Sequence, residues 1–203
     1  MIAIIDYGMG NIHSVQKALE LMGAAVKVTN KPEEIKRAEK AILPGVGAFD
    51  DAMAELEKQG LAAAIKEFSK SKKPFLGICL GMQLLFETSE EAKKAKGLGI
   101  LKGTVKKFKN AKGQKVPHMG WNNLKIKPEE CLLLKGVPDN SFVYFCHSYY
   151  PLAEDKEVIA ATCDYGVEFA AVVRKGNIYG AQFHPEKSQD IGLRMLKNFV
   201  EIC

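Results

Sequence analysis

The chain has no CxxC pair, and its five cysteines are an odd number at scattered positions, so neither a zinc site nor a disulfide framework is indicated. It also has no apolar run long enough to cross a membrane. The opening Met1-Ile2-Ala3-Ile4-Ile5-Asp6 lacks the basic start and cleavage site of a signal peptide and reads as a buried strand. Internal repeats, low-complexity segments and an interdomain linker are missing as well. These absences point to one domain over residues 1–203 in a reducing cytoplasm, with no metal and no cofactor. A content of 47% hydrophobic residues is enough for a substantial core in 203 residues.

The formal charge of +5 says little about partners. Lysines at 93, 94, 96, 102, 106, 107, 109, 112 and 115 concentrate basic charge, but no aromatic ladder accompanies them. A solvated face, or one for an acidic protein, fits better than nucleic acid. Asp6-Tyr7-Gly8-Met9-Gly10 follows a strand as a dinucleotide-binding loop would, yet His13 occupies the third glycine position, and the second strand ends at Thr29-Asn30 without a ribose-holding acid.

The order along the chain is strand and helix alternating, then mostly strand. Strand Ile2 to Asp6 precedes a helix from about Asn11 to Met22, with Ile12, Val15, Leu19 and Met22 at helical spacing and Gly23 as the stop. Strand Ala25 to Thr29, a short helix from Pro32, strand Ala41 to Leu43, a helix from Asp50 to about Ser69 interrupted near Gly60, and strand Phe75 to Ile78 follow. Beyond Leu98 strands are expected near Val105, Leu124, Val143, Val158 and Val172, with a hairpin at Lys175-Gly176-Asn177 and a closing helix from Asp190 to about Glu201. The expected fold is α/β, with a largely parallel, flavodoxin-like central sheet flanked by helices and antiparallel strands added in the C-terminal half.

In Pro74-Phe75-Leu76-Gly77-Ile78-Cys79-Leu80-Gly81-Met82-Gln83 one cysteine stands between two glycines where a strand ends and a helix begins. That is the pattern of a nucleophile elbow, in which the side chain is raised above the sheet and neighbouring backbone leaves no room for a Cβ. The helix, expected from Leu80 to about Glu87, directs its N–H groups and positive end at the sulfur and favours the thiolate. A free cysteine also packs as a small hydrophobe, so the elbow needs company.

Gly180-Ala181-Gln182-Phe183-His184-Pro185-Glu186 supplies it. His184 and Glu186 are two positions apart, and Pro185 favours extended backbone before it, so both side chains face one way. A base and its orienting acid need that arrangement: the imidazole takes the thiol proton and later protonates the leaving amine. The chain order Cys, His, Glu differs from that of the α/β-hydrolases. Pro44-Gly45-Val46-Gly47, after a short strand, provides a loop whose N–H groups, with that of Leu80, suit a developing oxyanion.

These segments, PGVGAF at Pro44–Phe49, GICLGMQLLFE at Gly77–Glu87 and QFHPE at Gln182–Glu186, resemble the class I (triad) glutamine amidotransferase family over nearly the whole chain. The resemblance implies a glutaminase with Cys79, His184 and Glu186 as its triad and Val46 and Leu80 as backbone donors to the oxyanion. It implies glutamine contacts from Gly47, Gln83, Glu91 and backbone at Ser148 and Tyr149, with Glu87 and Glu90 as rivals of Glu91. DYGMGN at Asp6–Asn11, PHMGWN at Pro117–Asn122 and the segment His147-Ser148-Tyr149 narrow the resemblance to members that serve histidine biosynthesis. These pass ammonia to a cyclase subunit of (β/α)8-barrel type in a heterodimer. Asn11, His118, Trp121 and Tyr144 are then expected at the partner interface; for Tyr144 plain core packing is as good a reading. A glutaminase serving another synthase, such as those of pyridoxal phosphate or anthranilate production, is opposed by PHMGWN. A silent scaffold is opposed by the intact triad.

Overall fold

The computed structural model describes residues 1–109, 115–127 and 130–203, so Lys112 lies outside the described residues. Its first half is β1 (Ile2–Ile5), α1 (Ile12–Leu21), β2 (Val26–Thr29), α2 (Pro32–Arg37), β3 (Lys40–Gly45), α3 (Phe49–Lys58), α4 (Leu61–Lys70), β4 (Phe75–Cys79) and α5 (Leu80–Gln83). The second half adds β5 (Thr88–Ser89), β6 (Gly103–Lys107), β7 (His118–Asn123), β8 (Lys125–Ile126), β9 (Phe142–His147), β10 (Tyr149–Ala153), β11 (Ile159–Asp164), β12 (Glu168–Lys175), β13 (Ile178–Ala181) and α6 (Gln189–Glu201).

An eight-stranded sheet runs in the order β2-β1-β3-β4-β13-β12-β11-β8. From β2 to β13 the neighbours are parallel, and β12, β11 and β8 extend the sheet antiparallel. Alternation along the central strands divides the core between two faces. Ile2 and Ile4, Ile42, and Leu76 and Ile78 meet Val15 and Leu19 of α1 and Leu196 and Phe199 of α6. Ala3 and Ile5, Ala41 and Leu43, and Phe75 meet Ile35 of α2, Leu56 of α3 and Ile65 of α4. The expected α/β architecture is therefore present, with both faces of the parallel strands covered.

The expected long helix after Ala48 is two helices, with Gly60 left-handed (φ 71°) between them. The elbow helix is shorter than its sequence pattern suggests. It ends at Gln83, because the carbonyls of Leu84, Leu85 and Phe86 accept from Leu98, from Ile100 and Leu101, and from Gly99 of a returning loop. Leu84, Leu85 and Phe86 are fully buried, and this loop takes the place of further helical turns. Near Val158 the chain first makes a 3-10 turn over Lys156–Val158, and strand begins at Ile159. Strand β10 has no alternation of apolar and polar residues that marks it in the sequence; its pairing with β6 defines it.

The register places the ends of β3, β4 and β13 side by side, with Gly45 opposite Cys79 and Ala181 opposite Ile78. At this junction a Cβ on Gly81 would fall 1.8 Å from the Leu43 carbonyl oxygen, and one on Gly77 would fall 2.6 Å from that of Gly81. We predict that Gly81→Ala costs about 3 kcal/mol, the upper end for overpacking, because the obstacle is backbone. Urea denaturation measures this, and an unchanged midpoint would show that the elbow can relax.

Candidate active site

Cys79 has φ 54° and ψ −111°, a conformation that costs a non-glycine residue about 1–3 kcal/mol and persists only where the surroundings impose it. The turn ends β4 and starts α5, so the thiol stands above the carboxyl end of the sheet at a cavity of about 370 Å³. Val46, Gly47, Leu80, Gln83, Glu91, Ser148, Tyr149 and His184 all line the same cavity. Its size is at the lower end of ligand pockets, about 300–1,000 Å³. A wider groove of about 770 Å³ beside Glu87, Gly103 and Leu152 has lysines, glutamates and threonines in its walls but no nucleophile with a base. Chemistry, not size, selects the smaller cavity.

His184 Nδ1 lies 2.9 Å from Glu186 Oε1, and the imidazole shares its cavity with Cys79. Both partners of the His184–Glu186 pair are almost fully buried. Burial alone pulls the His184 pKa down, but the hydrogen bonds and negative charges of Cys79 and Glu186 outweigh it and raise the pKa to about 10. The site thus favours the imidazolium form of His184. The pairing is reached differently from the extended geometry expected of the sequence: His184 is extended (φ −99°, ψ 96°), while Pro185–Lys187 form a 3-10 turn that swings Glu186 back beneath the ring. The Ser188 hydroxyl donates to the His184 carbonyl at 2.7 Å and accepts from the Tyr144 N–H at 3.0 Å, locking the His184 backbone to β9.

Gln83 spends its side-chain N–H groups on the Tyr149 carbonyl at 2.9 Å and on Gln182 Oε1 at 3.1 Å. Its carbonyl oxygen is what remains for a ligand. Of the three rival acids, only Glu91 lines the cavity; its Oε2 accepts from the Phe49 N–H at 3.0 Å, and burial raises its pKa despite that bond. Glu87 and Glu90 instead accept from the N–H groups of Gly103 and Lys107. Leu80 is the first residue of α5, where an N–H has no partner within the helix.

The four residues expected at an interface separate. Trp121 is 46% exposed and meets the half-buried Tyr144 edge-on, with ring centroids 6.0 Å apart. Asn11 faces inward, its Nδ2 donating to Glu186 Oε1 at 3.3 Å. His118 is not at the surface: it is 3% exposed, enclosed by Phe145 and Tyr165, because it lies on the core side of β7 while Met119 and Trp121 lie on the other.

Sequence reasoning overlooked several residues in or behind the cavity wall. Gln182 donates to Cys79 Sγ at 3.8 Å, and its place two residues before His184 was the available signal. Lys187, directly after Glu186, and Pro117 line the cavity mouth, as does Cys146, whose carbonyl is 3.9 Å from Cys79 Sγ. The Tyr7 hydroxyl is buried without a hydrogen-bond partner among the described residues, 2.6 Å from where a Cβ on Gly45 would be. Burial and the Cys79 charge raise its pKa. No sequence signal marks it.

The family model for glutamine amidotransferase class-I matches residues 3–203. The chain is 57% identical over 199 residues to the imidazole glycerol phosphate synthase subunit HisH of Bacillus anthracis (strain A0248), covering 98% of this chain and 93% of that protein. It is 54% identical over 201 residues to the subunit of the same name from Moorella thermoacetica, covering 99% and 94%. Among solved structures, PurLQS from Thermotoga maritima has a TM-score of 0.75 at 21% identity, covering 98% of this chain and 94% of that one. A glutamine amidotransferase crystal structure has a TM-score of 0.72 at 20% identity, covering 98% of each. These structures establish the likeness of fold.

The histidines make stability depend on pH from both sides. Burial lowers the pKa of His118 from 6.5 to about 4 and that of His147 to about 3. Below about pH 6.5 the unfolded chain takes up protons that the folded chain refuses, so stability falls with falling pH. His184 has the opposite sign: its contribution is complete below about pH 6.5 and is lost as pH rises towards 10. Urea midpoints at pH 4.5, 7 and 9.5 should peak at 7, with His184→Ala flattening the alkaline limb. Equal midpoints at all three pH values would contradict these assignments.

Proposed function

The chain belongs to the class-I glutamine amidotransferase family, and we propose that it is the glutamine-hydrolysing subunit of imidazole glycerol phosphate synthase, serving histidine biosynthesis. One observation carries this reading: a cysteine on a strained elbow shares a small cavity with a histidine that a buried glutamate orients. Identity above half to two HisH subunits over nearly the full chain supports the choice of synthase.

The Cys79 thiolate attacks the side-chain amide carbon of glutamine and forms a tetrahedral oxyanion, which the N–H groups of Leu80 and Val46 stabilise. The C–N bond then breaks, and the leaving nitrogen takes a proton from His184 and departs as ammonia. A glutamyl thioester remains on Cys79. His184, now neutral, removes a proton from water as it attacks the thioester; glutamate leaves and the thiolate–imidazolium pair is restored. Glu186 holds the ring through Nδ1 and stabilises its charge. Glu91 and the Gln83 carbonyl oxygen are the acceptors for the substrate ammonium, and backbone at Gly47, Ser148 and Tyr149 completes the pocket.

The partner is a cyclase subunit that consumes the ammonia, in our reading a (β/α)8 barrel in a heterodimer. Ammonia released into water at neutral pH is protonated and ceases to be a nucleophile, so a closed junction has a chemical purpose. Val46, Met119 and Trp121 are exposed apolar side chains near the cavity mouth, of the kind that anchors interfaces. No helix among the described residues is long and apolar enough to cross a membrane. We place the enzyme in the cytoplasm and read residues 1–203 as one amidotransferase domain.

Cys79→Ala should abolish glutamate release while leaving the fold and partner binding intact, and ammonium salt at alkaline pH should restore cyclase product in the variant complex. His184→Ala should lose about 10³-fold or more in kcat, as a general acid–base residue does, and Glu186→Gln less. Glutaminase activity retained without the thiol would refute the assignment.

The isolated chain should be a poor glutaminase that the partner with its bound substrate activates. Gly45 makes a flip of the peptide before Val46 inexpensive, and one missing oxyanion donor costs about 10²–10³ in rate. Glutamine turnover measured alone, with partner, and with partner plus ligand tests this; three equal rates would sink it.

A further inference from the structure

Two buried histidines take no part in the proton transfers above. His118 of β7 and His147 of β9 are cross-strand neighbours, 3% and 5% exposed. His118 is stacked between Phe145 and Tyr165, with centroids 4.7 and 4.0 Å away, and Phe108 and Phe169 close around both imidazoles. An apolar ring would fit such surroundings, and an imidazole there costs free energy unless its nitrogens are paired.

They are all paired, and in a single direction. The Tyr149 carbonyl only accepts, so His147 Nδ1, 2.8 Å away, carries a proton. With the ring neutral, His147 Nε2 is an acceptor, and His118 Nδ1 donates to it at 3.0 Å. His118 Nε2 then accepts from Asn122 Nδ2 at 3.3 Å, while the other Asn122 amide proton goes to the Asp164 carbonyl at 2.9 Å. At the far end the Tyr149 carbonyl also receives Gln83, which is joined to Gln182 and so to Cys79 Sγ. The chain of hydrogen bonds runs unbroken from β7 to the wall of the cavity, and reversing one member would leave two donors or two acceptors face to face.

We propose that His118 and His147, as a pair of neutral Nδ1–H tautomers, are positioning residues for substrate: they clamp the Tyr149 carbonyl, and through it Gln83 and the Ser148–Tyr149 wall, in the conformation that receives glutamine. This rests on the glutaminase reading of the cavity. Neither imidazole transfers a proton in the reaction. Their effect is on the shape and polarity of the pocket, so it belongs to binding more than to the chemical step.

Two measurements test this. In wild-type protein labelled with ¹⁵N-histidine, long-range ¹H–¹⁵N correlation spectra between pH 5.5 and 8 should show both rings neutral and protonated at Nδ1; an Nε2–H or charged form of either would overturn the proposal. In the complex with the cyclase subunit, His118→Phe and His147→Phe should raise KM for glutamine about tenfold with kcat changed less than about threefold, the signature of lost uniform binding. His118→Asn retains an N–H at the δ position and should stay within about threefold of the wild-type KM. A purely structural role would lower the melting temperature and the active fraction at unchanged KM, and that result, or His118→Asn no better than His118→Phe, would also overturn it. If the wild-type complex released no glutamate, the glutaminase reading itself would fall, a failure the spectra do not share.

Discussion

Everything in the site depends on how closely the backbone of the Cys79 turn approaches its neighbours. Gly81 presses on the Leu43 carbonyl of β3 and Gly77 on the carbonyl of Gly81, so β3, β4 and α5 are fixed to within a methyl group. This contact holds Cys79 at φ 54° and raises its side chain over the sheet end. It also sets Gly45 beside Cys79, which brings Val46 and Gly47 to the cavity that Cys79 faces. The next strand on the other side, β13, carries the chain to Gln182 and His184. Three adjacent strand ends thus bring Cys79, the Pro44–Gly47 loop and His184 to one cavity, as expected for open parallel sheets, whose sites lie beyond the carboxyl ends of their strands.

That Cys79, His184 and Glu186 come together was legible in the sequence because each part is a local pattern: glycines around Cys79, and Pro185 between His184 and Glu186. The layered fold was legible for a similar reason, since alternating periodicities are properties of neighbouring residues. What escaped was settled by contacts between distant segments. The elbow helix stops at Gln83 because a loop some fifteen residues onward takes its carbonyls, and no pattern within Leu84–Phe86 announces that. Glu91 was separable from Glu87 and Glu90 only once the N–H groups of Phe49, Gly103 and Lys107 had claimed one acid each. His118 was expected at the partner interface together with Trp121, but in a strand an interval of three residues leads to the opposite face.

The buried histidines show how little burial alone determines charge. His184 and His147 are both nearly inaccessible, yet one pKa rises to about 10 and the other falls to about 3. Desolvation lowers both. His184 faces Cys79 and Glu186, whose attraction for its proton exceeds the desolvation cost. His147 faces a carbonyl, a neutral imidazole and aromatic rings, which do not offset that cost. The two environments lie close together: a charged imidazole near the Cys79 turn, and a neutral one paired with the Tyr149 carbonyl.

The two-stranded ribbon of β7 and β9 shows how such a wall can also face a partner. Its outer side presents Met119 and Trp121 to solvent, beside Tyr144 and Cys146 at the cavity, while its inner side buries His118, Phe145 and His147. Period-two alternation assigns these duties to alternate residues of the same strands. A displacement of the ribbon by a docked protein therefore moves both sides together, and the hydrogen bonds of the inner side end on the Tyr149 carbonyl. The backbone of His184 is tied to the same ribbon through Tyr144 and Ser188. The Tyr149 carbonyl and the His184 backbone are thus attached to a single element, and that element carries the exposed Trp121. Coupling between partner and chemistry then needs no long path through the sheet, because β9 forms part of the pocket itself.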